Sequence, residues 1–71
     1  MTIKDIKIKC KEIIIKKYPE YKQRNAALGL LSNEETGMMK LFIKTNTIFS
    51  NSLEKKLENN EDITDLFNNW N

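Results

Sequence analysis

An all-α fold, three helices plus a short fourth packed as a small bundle, is what this 71-residue sequence predicts. Three observations carry it. Apolar residues recur at spacings of three and four along most of the chain, the period of one helix face. Breakers are scarce, one proline and two glycines, so few stops interrupt those runs. Capping residues stand where the runs begin: Thr2, then Ser32 with Glu35 three residues on, then Asn59 and Asn60.

Thr2 caps a first helix over residues 3–17. Ile3, Ile6, Cys10, Ile13 and Ile14 share its main face. A strand is the rival reading, because Ile6, Ile8 and Cys10 alternate with lysines and isoleucine favours strands. The run Ile13–Ile14–Ile15 breaks that alternation, and no second strand is present to take up the backbone hydrogen bonds. Ile8 and Ile15 fall away from the main face. With Lys4 and Lys11 they form a second stripe, a candidate contact for another chain; scattered exposed apolar residues are also ordinary, and both readings stand.

Pro19 pushes Tyr18 out of helical geometry and ends the first helix. It also suits the first position of a second helix, expected over 19–31, with Glu20 in its first turn. Tyr21, Ala27 or Leu28, and Leu31 are expected inward. Ala26, Ala27 and Gly29 are small enough to admit a close neighbour, although Gly29 equally suits a helix end. Lys22, Gln23 and Asn25 stand where they can bond the carbonyls left open as the first helix stops, so that 18–25 forms a structural corner.

The Ser32/Glu35 capping box opens a third, long helix over 33–58. Met38, Leu41, Phe42, Thr45, Ile48, Phe49, Ser52 and Leu53 are expected on one broad inward face, and Gly37 costs about 1 kcal/mol relative to alanine. A last helix is expected over 61–70, with Ile63, Leu66, Phe67 and Trp70 on one face. So short a helix is unstable alone and must dock. Phe67 and Trp70 are therefore candidates for internal packing or for contact with a partner.

A chain this size buries only about 60% of the surface its unfolded form exposes. One cysteine and no histidine close off an internal disulfide and offer no zinc-ligand spacing; Cys10 reads as a small buried hydrophobe. Regular helix packing and association remain. Residues 1–25 hold seven lysines and one arginine against three acids, a net of +5, and residues 26–71 hold four lysines against seven acids, a net of −3. Such polarity fits a basic binding face or contact between the two ends of the chain, within one molecule or between copies.

No catalytic constellation, glycine-rich phosphate loop, metal site or cofactor motif is legible, and no small-molecule substrate is implied. The carboxylate pairs Glu34–Glu35 and Glu61–Asp62 lie at helix starts, where the helix dipole accounts for them. A nucleic-acid reading rests on Lys4, Lys7, Lys9, Lys11, Lys16 and Lys17. These point all round the first helix, and the helix-turn-helix-like passage at Ser32 puts two glutamates where phosphate contacts belong. Nucleic acid is thus the third-ranked partner. Charges run through the middle of "MTIKDIKIKCKEIII", so no signal peptide is expected there, and no apolar run is long enough to span a bilayer.

The segment from Tyr18 to Ile43, with Tyr18, Pro19, Tyr21, Lys22, Gln23 and Asn25 at its head, resembles segments of bacteriophage tail and tail-fibre-associated proteins. The similarity extends through "FSNSLEKKLENNEDITDLFNNW" at residues 49–70. It implies a non-enzymatic, phage-encoded helical protein, a structural or assembly component of the particle acting through protein–protein contacts, in the host cytoplasm, the particle or both. The alternative is a small phage-encoded inhibitor or regulator of a host defence protein.

Overall fold

The computed structural model describes all 71 residues, Met1–Asn71. It holds four helices and no strand: α1 (Ile3–Lys17), α2 (Glu20–Ala27), α3 (Asn33–Glu58) and α4 (Thr64–Asn68). The shape is a rod of 43 × 17 × 16 Å with a radius of gyration of 13.9 Å, against about 11 Å for a compact domain of this length. At 1.5 Å per residue α3 alone runs about 39 Å, so this one helix sets the long axis.

α1 lies antiparallel along α3, the main helix–helix contact in the molecule. Lys7 pairs with Glu54 at 2.9 Å near one end. Cys10 reaches Asn46 in the middle, and the Tyr18 ring meets Phe42 edge-on at 5.5 Å near the other end. The core seals this seam with Ile6, Cys10, Leu53, Ile63 and Trp70, flanked by Ile13, Ile14, Phe49, Leu57 and Phe67. The expected main face of α1 is therefore the buried one. Burying so few side chains leaves a thin core, as small size dictates.

The helix ends follow from local chemistry. Thr2 makes a reciprocal capping box with Asp5, satisfying two orphan N–H groups at once. Ser32 Oγ accepts the Glu35 N–H at 3.1 Å, while the return bond from the Glu35 side chain is not made. α3 stops at Asn59 because Asn60 adopts φ +61°. The Asn60 N–H then bonds the Leu57 carbonyl and the Glu61 N–H the Lys56 carbonyl, the Schellman pattern that satisfies the last open carbonyls.

Three expectations are corrected. α2 spans Glu20–Ala27, not 19–31: Gly29 takes φ +74°, and Gly29 and Leu30 donate to the Ala26 and Asn25 carbonyls in a second Schellman turn. Pro19 is its N-cap rather than its first residue, α2 buries no residue, and Tyr21 and Leu28 are exposed rather than inward. The last helix is Thr64–Asn68, not 61–70. Asp62 Oδ1 accepts both the N–H and the hydroxyl of Thr64, at 3.0 and 2.6 Å, a local turn that competes with helix and delays its start.

The third correction concerns the inward face of α3. Met39, Asn46, Ser50 and Leu53 are its buried residues. Met38, Leu41 and Ile48, expected inside, are 60%, 64% and 58% exposed. The helix is rotated so that two polar residues go in and three large apolar residues stay out. The reason lies in the partners of Asn46.

Candidate interaction surface

Asn46 stands where α1, α3 and the C-terminal segment converge. Its Nδ2 donates to the Phe42 carbonyl at 2.9 Å, one turn back along α3. Its Oδ1 accepts the Trp70 indole N–H at 2.9 Å. Its backbone carbonyl accepts from the Cys10 thiol at 3.6 Å. No buried side-chain nitrogen or oxygen in the molecule lacks a partner, which is what buried polar groups require. Burial pushes the Cys10 thiol above its ordinary value, with the Ser50 hydroxyl pulling the other way; a protonated, enclosed thiol is a poor nucleophile.

The sequence-predicted contact residues separate on this frame. Trp70 is a core residue, 7% exposed, packed edge-on against Phe49 at 5.1 Å; it anchors the C-terminal segment and is not free for a partner. Phe67 is half-buried. The Lys9 ammonium lies 4.4 Å over its ring and donates to its backbone carbonyl, so an α1 lysine covers the ring that was a candidate contact. Ile8 is 46% exposed beside Met1 and Phe67. Ile15 is half-buried and lines a groove with Ile14, Gln23 and Ile43. The structure therefore does not join Ile8 and Ile15 into one open stripe, because the α1–α3 contact and the corner at α2 draw Ile15 inward.

The corner residues build a turn. The Gln23 side chain donates to the Tyr18 carbonyl at 2.8 Å, closing a group left open where α1 stops. The Pro19 carbonyl accepts from the Lys22 and Gln23 N–H groups. Lys22 and Asn25 make no side-chain hydrogen bond; Asn25 serves through its carbonyl, in the Schellman turn. The Lys17 ammonium lies 4.7 Å over Phe42, a cation–π contact that ties the end of α1 to α3.

What sequence reasoning missed is the surface opposite the α3 core. Met38, Leu41 and Ile48, with Thr45 and Ser52 between and beyond them, step by three, four, three and four along one exposed stripe. Leu66, 44% exposed, borders the groove that Thr45 lines. The three-and-four spacing is visible in the sequence, but hydropathy alone places these residues in the core. The side chains form no cluster of three or more residues able to hold a metal ion, and no helix is long and apolar enough to cross a membrane. No family model, curated protein sequence or solved structure matches this chain.

Proposed function

We propose that this chain is a non-enzymatic protein–protein contact module, a structural or assembly component of a bacteriophage particle, with the outer stripe of α3 as its working surface. The observation that carries the contact reading is an inversion of burial on one helix. Asn46 and Ser50 are inside while Met38, Leu41 and Ile48 are outside. Contiguous exposed apolar surface rimmed by polar residues is a mark of interaction sites, and apolar side chains on a 26-residue helix suit the helix-in-groove or helix-on-helix modes of recognition. Assignment to a particle, with tail as the favoured part, rests on the resemblance of the segment headed by Tyr18–Asn25.

The test uses a photo-crosslinking amino acid at position 41 in the intact chain, expressed during infection, with mass spectrometry of the products and of purified particles. Crosslinks to particle proteins, with the chain present in particles at fixed stoichiometry, are expected. Absence from particles with crosslinks to one host protein contradicts the structural role and favours the inhibitor reading. Absence of any crosslinked protein contradicts the contact reading itself.

A further inference from the structure

The outer stripe of α3 has a pattern that bears on its occupant. Met38, Leu41, Thr45, Ile48 and Ser52 keep the alternating three and four spacing of a coiled-coil seam. One step beyond each end of the same seam stand charged residues: Glu34 four before Met38, and Lys55 three after Ser52. Glu35 adds to the acidic end and Lys56 to the basic end. The seam is thus acidic at its start and basic at its finish, with Met38, Leu41 and Ile48 as its apolar residues between, Thr45 near the midpoint and Lys44 beside it. Glu34, Glu35 and Lys55 make no ion pair within the chain, and Lys56 only a long one, 3.9 Å to Glu61.

We propose that this seam pairs with the same seam of a second copy, the two α3 helices running antiparallel about a two-fold axis near Thr45. The proposal deepens the contact reading above and rests on it. Antiparallel pairing sets Glu34 and Glu35 of each copy against Lys55 and Lys56 of the other, twice by symmetry, and lays the apolar residues of one seam along those of the other. Parallel pairing sets acid on acid and base on base, which opposes it. The self-complementary charge order is what a two-fold interface demands, since the same patch must serve both sides. A seam from Glu34 to Lys55 runs about 32 Å along the 43 Å rod, and Leu66 of each copy lies beside its middle.

The experiment is light-scattering mass and spin-label distances on the full chain in a Cys10→Ala background, with native helicity checked by circular dichroism. The expected mass is twice that of the monomer. Nitroxides on Lys44→Cys come within about 20 Å of their copies, while those on Asn33→Cys stand about 35–40 Å apart; short distances at both positions mean a parallel pair and overturn the proposal. Lys55→Glu with Lys56→Glu weakens self-pairing about tenfold. Mixing with Glu34→Lys plus Glu35→Lys restores pairing between the two variants. A folded wild-type monomer up to millimolar concentration overturns self-pairing. If position 41 still crosslinks to a foreign protein in that case, the contact reading survives and only the second copy is wrong; if it crosslinks to nothing, both fall.

Discussion

The Trp70 indole N–H and the Asn46 side-chain oxygen are joined across 24 positions of sequence by a 2.9 Å hydrogen bond. That bond fixes the rotation of α3, because it requires position 46 to face the C-terminal segment. With Phe49 edge-on to the same indole, it also docks a segment whose own helix is only five residues long and unstable alone.

Asn46→Ala is expected to destabilise the fold by about 1–3 kcal/mol, since it leaves the buried indole N–H without an acceptor. In Asn46→Ala with Trp70→Phe that unpaired donor is gone, so the double variant loses less than the two single losses added together. Urea unfolding of the four-member cycle measures the coupling; strict additivity contradicts the role given to this bond.

That pair also explains what could and could not be read from the sequence. The caps at Thr2 and Ser32, the stop at Pro19 and the Ile6–Cys10–Ile13–Ile14 face were legible because each is set by residues within one or two turns. The inward face of α3 was not. Judged by hydropathy, Met38, Leu41 and Ile48 outrank Asn46 and Ser50, and the groups that admit those two polar residues, Trp70 and Cys10, lie 24 and 40 positions away from them. The early ends of α2 and the late start of α4 turned on single backbone choices, the positive φ at Gly29 and the Asp62–Thr64 turn.

The two glycines are expected to respond in opposite directions. Gly37 lies in α3 with open space where a Cβ would project, so Gly37→Ala stabilises by about 0.5–1 kcal/mol. Gly29 sits at φ +74°, where a side chain is strained, so Gly29→Ala costs about 1–2 kcal/mol. Thermal melts of the two variants check the sign of each.

Cys10 is expected to resist thiol reagents in the folded chain. It is buried, and burial raises its thiol above the ordinary range. Reaction with a disulfide reagent proceeds in native buffer at a small fraction of its rate in denaturing urea and accelerates as the chain unfolds. Equal rates in both contradict the burial of α1 against α3.

Acid is expected to remove two helix-start contributions. Asp5 is held below its ordinary value of 3.8 by the Thr2 N–H, then by the Thr2 hydroxyl; Asp62 is held below it by the Thr64 hydroxyl, then by the Thr64 N–H. A carboxylate depressed in the folded state stabilises fully above its unfolded value, and that contribution fades as pH falls through the lower folded value. The stability gap between wild type and Asp5→Asn with Asp62→Asn, followed by urea unfolding, is therefore constant near neutrality and closes below pH about 3.8. A gap that widens in acid contradicts the assignment.

The fold and the proposed contacts both depend on the outer stripe of α3 being an interface and its inner face the core. Light-scattering mass with a thermal melt, on wild type and on Leu41→Glu with Ile48→Glu, tests this most directly. Both positions are well exposed, so the expected result is an associated wild type and a variant that keeps its helicity as a folded monomer. A variant that unfolds shows Leu41 and Ile48 to be core residues and contradicts this division of the helix; a wild type whose mass is that of a single chain overturns self-pairing, and with no crosslinked protein at position 41 it overturns the interface as well.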